Sequence, residues 1–371
     1  MLKKWGFYYA RLDWVVYLCR VLTNKFIIMK KNLQTILVVA LGLLTTVSYA
    51  QDWGVDSRTR IDMSGDNDKM ETSQRVTLGA SWGGSDWGVV LSSDVNYTTN
   101  DGNEVSAEVY EAYATTNLFG FATMNVGRQA LSYGSGVFVG TNDWSANRNT
   151  VDGMTFAIDN DFVDLTLGLN NDNDGAGTSN DRMWLNAAKS SGDWSANLFY
   201  SAASANEGDD NTQMGLDFAY SAMGGALALN VSYNTTSTDG VEGDMMDVSG
   251  TYTVNDDMSI TAGRTSVGED GFAYGAGGNM TGDWVSHGTL GVLGANDENM
   301  YVGGSYNMGA FSIGARMHTI TNGDADERTA SDITIGYTLG DNSSLSYRMV
   351  TDDMGGSEDT NYNWLTLSIG L

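Results

Sequence analysis

The chain has 371 residues, with 46 glycines, no proline, one cysteine, and 46 acidic residues against 19 basic ones. Its cysteine, Cys19, falls within the first fifty residues, so from Gln51 onward disulfides, thiolate nucleophiles and cysteine metal sites are excluded. Past that point 12 basic residues stand against 45 acidic ones, a formal charge of −33 that excludes nucleic-acid binding through a basic face.

From Met29 the chain reads MKKNLQTILVVALGLLTTVSYA. Lys30 and Lys31 form a positive start, Ile36 to Leu44 an apolar core, and Ser48-Tyr49-Ala50 a small-residue cleavage site, so residues 29–50 read as a secretory signal peptide. The apolar run is shorter than the ~20 residues of a spanning helix. Residues 1–28 precede that signal and read as an upstream extension from a mis-assigned start. Residues 51–371 are expected to form one domain.

That domain alternates with a period of two. In the first segment Val55, Ile61 and Met63 oppose Arg58, Arg60 and Asp62. In the next, Val76, Leu78 and Trp82 oppose Arg75, and then Trp87, Val89, Leu91, Val95 and Tyr97 oppose Asp94. Further on, DFVDLTLGL sets Leu165, Leu167 and Leu169 against Asp164, and DWSANLFYSAA sets Trp194, Leu198 and Tyr200 against Ser195, Asn197 and Ser201. The final NWLTLSIGL sets Leu365, Leu367, Ile369 and Leu371 against Thr366, Ser368 and Gly370. Half-buried strands read this way and helices do not.

Turns of two kinds separate these segments. Short ones, such as GGSD at 83–86, SSGD at 190–193 and LGDN at 339–342, alternate with long polar ones, such as NNDNDGAGTSND at 170–181 and TDDMGGSEDT at 351–360. Aromatic residues cluster near strand ends, among them Trp53, Trp82, Trp87, Trp194, Tyr97, Tyr233, Tyr252 and Trp364. The pattern predicts an all-β fold, a transmembrane antiparallel up-and-down β-barrel of about 18 strands, within a range of 16–20. Between Val267 and Asn299 another hairpin and a single long loop fit equally.

Strand phase directs Arg58, Arg60, Arg75, Arg182, Arg316 and Arg348 into the lumen, with Asp62, Asp94, Asp164, Asp217 and Asp332 as inward acids. First and last strands adjoin in a closed barrel, so Arg58, Arg60, Arg75, Arg316 and Arg348 are expected on one wall. A basic wall facing acids would set a transverse field across a constriction. The other reading is of paired ions lining a wet wall.

No catalytic constellation stands out. His287 and His318 are the only histidines and lack further ligands for a zinc or catalytic site. Asn170, Asp172, Asp174, Gly175 and Asp181 follow part of a calcium-loop spacing, without flanking helices. Weak Ca²⁺ binding at Asp172, Asp174 and Asp181 stands beside the reading of a solvated loop, and no cofactor is expected.

One stretch resembles a known family. VGRQALSYGSG, followed by GTNDWSANRNTVDGMTF, is similar to the signature region of the alginate-export family of outer-membrane porins. Gly127, Arg128, Gln129, Tyr133, Gly134, Asp143, Trp144, Arg148, Asp152 and Gly153 carry the likeness, over about 30 residues. The resemblance implies an 18-stranded barrel passing polar or charged solutes, in some members an anionic polysaccharide. Twelve basic residues against 45 acidic differ from the arginine-rich pores of such exporters and favour a general or oligosaccharide porin.

Residues 128–150 are then the loop between the fifth and sixth strands. Its length predicts a constriction folded inward, with Arg128 and Arg148 tied to acids such as Asp143 and Asp152. Arg128 shares parity with Met124 and Val126, so the strand must end or bulge at Gly127 for Arg128 to leave the lipid face. The functional expectation is a passive outer-membrane channel, not an enzyme, with membrane lipids and small polar solutes as partners. A plugged adhesive barrel with acidic ligand-binding loops and an alginate-like export channel are the alternatives. Monomer and homo-oligomer both remain open.

Overall fold

The computed structural model of the chain describes residues 50–64, 70–99, 105–142, 148–173, 179–205, 211–238, 240–273, 293–323, 327–353 and 360–370. They form one antiparallel sheet of 18 strands. The first nine are β1 (Ala50–Asp62), β2 (Glu71–Gly83), β3 (Trp87–Thr98), β4 (Val105–Leu118), β5 (Ala122–Gln129), β6 (Val151–Ile158), β7 (Asp164–Asn173), β8 (Ser179–Ser191) and β9 (Trp194–Ala205). The rest are β10 (Asn211–Ala222), β11 (Leu227–Thr238), β12 (Val241–Asn255), β13 (Met258–Val267), β14 (Glu298–Met308), β15 (Phe311–Thr321), β16 (Arg328–Gly340), β17 (Ser343–Asp353) and β18 (Thr360–Gly370). Each strand pairs with its chain neighbours, and β1 pairs with β18 from Asp56↔Gly370 to Asp62↔Trp364. The sheet therefore has no free edge. Closure is what strands in lipid require, since each unpaired backbone group in hydrocarbon costs several kcal/mol.

Register turns the two-residue period into two walls. On β9 and β10 the outward Leu198, Tyr200, Met214, Leu216, Phe218 and Tyr220 are 40–49% exposed, whereas the alternate Phe199, Ser201 and Gln213 are at most 9% exposed. Apolar side chains turned out to that degree are stable against lipid, where covering each one gains about 1.5–3 kcal/mol. Trp53, Trp87, Trp194, Tyr252, Phe311 and Tyr337 lie near the short-turn ends of the outward rows and are all exposed, as an interfacial girdle requires. Trp364 departs from that expectation. It shares the inward phase of Thr366, is buried, stacks on Tyr362 at 5.4 Å and lies 5.6 Å from the Arg60 guanidinium.

Short turns and longer connections fall on opposite rims, as the sequence predicts. The connection from β11 to β12 is the exception, since these strands end and begin at Thr238 and Val241. No strand occurs among the described residues between β13 and β14, and residues 274–292 lie outside them. The connection from β5 to β6 covers 130–150 rather than 128–150, because β5 continues through Gly127 to Gln129. Only the β13–β14 connection is longer. The buried apolar cluster lies within the barrel and includes Val137, Phe138 and Val139 of the β5–β6 loop.

Candidate functional site

The site is built on the β5–β6 loop and the walls it touches. Its approach begins at Gly127, whose φ of +131° and close contact with β4 admit no side chain: a Cβ there would lie 2.2 Å from the Ala112 carbonyl oxygen. Register nevertheless passes straight through, with Val126↔Met154, Gly127↔Gly153 and Arg128↔Asp152. Arg128 therefore keeps the outward phase of Val126, and the expected strand end at Gly127 does not occur. Its Nε and Nη2 donate to the two carboxylate oxygens of Asp152 at 2.7 and 2.6 Å, and Nη1 donates to the Val109 carbonyl at 3.1 Å. Three rows of the same phase, Val126 with Met154, Met124 with Phe156 and Ala122 with Ile158, separate this pair from the short turn. It sits at the long-loop end of both strands, one residue before β5 ends and one after β6 begins.

Beyond Gln129 the chain turns into the lumen. The Tyr133 ring stacks on Phe199 at 5.8 Å, and Trp184 Nε1 donates to its hydroxyl at 3.4 Å. Burial pushes the Tyr133 phenol above its ordinary pKa, with the Trp184 hydrogen bond acting the other way. Gly134, at φ +54°, packs against β10 so closely that a Cβ would meet Asp217 Oδ2 at 1.9 Å. The same oxygen accepts from the Ser135 amide at 3.0 Å. Val137, Phe138 and Val139 follow, almost fully buried, with Phe138 stacked on Phe199 at 5.8 Å and tilted against Phe272 of the β13–β14 loop at 5.6 Å. This half of the loop is thus held by aromatic packing and one carboxylate on β8–β11.

The other half is held by charge on β2–β4. Arg148 donates to both oxygens of Asp94, at 2.9 and 2.6 Å, and to Thr77 Oγ1 at 3.1 Å, while its guanidinium lies 3.3 Å over the Tyr110 ring. Among the described residues its acidic partner is therefore Asp94, 54 residues away, and not Asp152. Asp152 is taken by Arg128 on the outer face and has the wrong parity to reach the lumen. Tyr110 gains its inward direction from a bulge, where the pairing steps from Ser92↔Glu111 to Ser93↔Val109. Asp143 and Trp144 lie outside the described residues.

Arg58, Arg60, Arg75, Arg316 and Arg348 lie on the inner faces of β1, β2, β15 and β17, within the contiguous run β15–β16–β17–β18–β1–β2. Arg328 begins β16 and joins the same wall, bonded to Asp352 at 2.8 and 2.6 Å. Arg348 binds Asp332, with Nε at 2.9 Å. Arg316 lies 5.3 Å from the Tyr301 ring. Arg182 stands apart on β8, donating to Gln213 at 2.8 Å.

The acids divide differently from a simple opposed wall. Asp94 and Asp332 neutralise arginines on their own side, as does Asp352. Asp62 is in the Arg60 strand, two residues on. Asp164 on β7 and Asp217 on β10 remain across the lumen, joined by Asp247 on β12, which sequence reasoning missed. Asp247 accepts from Thr265 Oγ1 at 2.7 Å and lies 3.3 Å from the Tyr301 hydroxyl. The transverse contrast therefore survives in part, reduced by three ion pairs within the basic side.

His318 is buried on the inner face of β15, where Nδ1 shares a 3.1 Å hydrogen bond with Asn299 Oδ1. His287 lies outside the described residues, as do Asp174 and the side chain of Asp172. Asp181 is exposed and accepts from Asn171 Nδ2. Among the described residues no group of three or more His, Cys, Asp or Glu side chains is placed to hold a metal ion.

No family model matches the chain, and no curated protein matches it either. Solved structures do. Pseudomonas aeruginosa OccK11 (OpdR) is 15% identical with a TM-score of 0.68, over 86% of this chain and 96% of that one. P. aeruginosa OccK5 (OpdH) is 15% identical with a TM-score of 0.67, over 86% and 98%. The P. aeruginosa outer membrane protein OpdK, solved also with vanillate, is 12% identical with a TM-score of 0.69, over 87% and 100%. Such likenesses carry no support for the alginate-export family in particular. At these identities they establish the fold alone: the chain is a closed 18-stranded antiparallel β-barrel of the OccK/Opd architecture.

Proposed function

We propose that the protein is a passive diffusion channel of a Gram-negative outer membrane, admitting small hydrophilic or charged solutes, oligosaccharides among them. The observation that carries this reading is the β5–β6 loop, folded into the lumen and tied to two different walls. A loop so placed narrows a polar passage to a selective width, which a purely structural barrel has no need to do. The arginine wall beside it favours anions, and the OccK/Opd barrels share the architecture. Transport rather than turnover is the activity proposed. Export through a cleaved signal peptide at residues 29–50 belongs to the same reading. An alginate-like polysaccharide remains a narrower proposal, supported by the motif from Gly127 to Gly153.

A second reading has one observation in its favour. Val137, Phe138, Val139 and Leu293 form part of an apolar cluster inside the barrel, as they would in a plugged barrel that binds ligands by its acidic loops. Single-channel recording in planar bilayers separates the two. Steady ohmic conductance is the expected outcome, and a folded barrel that never conducts sinks the channel reading.

A further inference from the structure

The apolar outer wall is low on β5–β8. Three rows of outward phase, Ala122–Ile158, Met124–Phe156 and Val126–Met154, precede the Arg128–Asp152 pair. On β7–β8 the rows Leu165–Ala187, Leu167–Leu185 and Leu169–Met183 precede Asn171 and Asp181, which are hydrogen-bonded to each other. The neighbouring β9–β10 carries five uncharged rows, from Trp194–Tyr220 to Ala202–Thr212. Successive rows lie about 5 Å apart along a barrel axis, so three span about 15 Å of an apolar band about 25 Å tall. Charge closes the band above β5–β8, so further apolar height can come only from the short turns below.

Those turns supply it. Phe119 at the β4–β5 tip is 95% exposed, Phe162 in the β6–β7 turn is 79% exposed, and Phe121 is exposed as well. Phe119 and Gly120 have φ of +52° and +79°, and the Phe121 amide closes the turn by donating to the Leu118 carbonyl at 3.1 Å. Such a turn favours Asn-Gly, and a bulky side chain at its first central position is strained. Asn160 fixes the second turn: Oδ1 accepts from the Phe162 and Val163 amides at 2.9 and 3.0 Å, and Nδ2 donates to the Ile158 and Val163 carbonyls at 3.1 and 2.8 Å. The Asp159 amide donates to the Phe121 carbonyl at 3.0 Å and joins the two turns. Met223, exposed at φ +55°, repeats the device between β10 and β11. The β2–β3, β8–β9 and β16–β17 turns carry Asp86, Asp193 and Asp341 instead.

We propose that Phe119, Phe121 and Phe162 dock in the phospholipid leaflet at the short-turn rim, sinking the β5–β8 sector until its apolar height matches the bilayer. A wall shorter than the hydrocarbon is otherwise met by thinning of the bilayer, at a cost that rises with the mismatch. The patch continues the lipid-facing rows above it. Met223, on a separate turn, favours a partner that surrounds the barrel over a protein seated on one side. Asp159 and Asp161 are exposed in the β6–β7 turn, where they attract ammonium headgroups and repel anionic ones. The occupant is therefore a leaflet of amine-bearing zwitterionic lipid. This inference rests on the reading of a membrane channel.

From Gln51 onward the chain has no cysteine, so in a Cys19→Ser background each introduced cysteine reports a single site. Phe119→Cys, Phe162→Cys and Met223→Cys are labelled with a nitroxide in the full-length protein and reconstituted in phosphatidylethanolamine–phosphatidylcholine vesicles. Leu216→Cys on the lipid face and Asp341→Cys on a polar turn are the controls. Collisions with oxygen, which concentrates in lipid, are compared with collisions with a water-soluble nickel chelate. The oxygen-to-nickel ratio at 119, 162 and 223 is expected to approach that at 216 and to exceed that at 341 severalfold. If Phe119→Cys does not assemble, Phe162→Cys carries the same comparison. Replacing phosphatidylethanolamine by phosphatidylglycerol should raise nickel access at 162, and no change overturns the amine-bearing headgroup. Ratios at 119 and 162 equal to that at 341, with 216 shielded, overturn the anchor and leave the channel reading standing. Water access in vesicles together with shielding in native outer membranes assigns the patch to a protein partner and also overturns it. Nickel access at 216 itself overturns the channel reading.

Discussion

Arg148 and Arg128 bracket the same loop, and each binds one aspartate through two parallel hydrogen bonds, yet the two pairs occupy opposite environments. Arg128 and Asp152 sit on the outer face of β5–β6 with side chains 40% and 62% exposed. Arg148 and Asp94 sit inside the barrel, 9% and 5% exposed. Water and salt screen the first pair, and such surface pairs contribute about 0–1 kcal/mol. Removing one partner of the second leaves an uncompensated buried charge, which costs about 3–5 kcal/mol. Identical chemistry thus serves as trim on one wall and as a latch on the other.

The largest effect is expected for Arg148→Ala. It frees the second half of the loop from β2–β4, so single-channel conductance should rise and become noisier. Asp94→Asn should act in the same direction, and the double variant should cost less than the two singles combined. Unchanged conductance and noise in folded Arg148→Ala would show that the latch does not set the pore.

Phe138→Ala attacks the other grip of the loop, by removing an aromatic wedged between Phe199 and Phe272, at about 3 kcal/mol. Greater protease sensitivity of residues 130–150 with an intact barrel is the expected readout. Replacing Arg58 and Arg60 by Ser leaves both ion pairs of the comparison untouched. It should move reversal potentials toward cation preference, by altering a lumen potential on the order of a few kT. Unchanged ion selectivity would dismiss the wall as a selector.

Arg128→Ala should change thermal stability by no more than about 1 kcal/mol and leave conductance as it was. A large loss there would erase the contrast. The smallest effect concerns Tyr133. Its phenol is raised above 10.0 by burial, so the folded state holds the proton more tightly than the unfolded chain. Its contribution is fully present below pH 10 and is lost as pH rises through the folded value. Conductance should therefore be flat with respect to this group up to about pH 10, and Tyr133→Phe should remove any drift above it.

Much of the architecture was legible because a strand's side-chain direction repeats every two residues. Parity reads Arg58, Arg60, Arg75, Arg182, Arg316 and Arg348 as inward, and Arg128, with Met124 and Val126, as outward. The error was to expect Gly127 to break the strand: its positive φ is accommodated without a shift of register. Arg328 escaped because its strand begins at that residue, immediately after a polar stretch. Tyr110 escaped because a bulge interrupts the alternation that parity assumes.

The sequence by itself determined the strands, their two faces, the even number that closes the ring and the sidedness of the basic residues. All of these follow from a local period combined with the need to pair every backbone group in lipid. Tertiary structure alone decided what the arginines touch and where the long loop rests. Arg148 meets Asp94, Ser135 meets Asp217, and Phe138 meets Phe272, contacts that join residues 54, 82 and 134 positions apart. No two-residue period encodes such pairings. They depend on which inner positions come opposite one another once the sheet has closed.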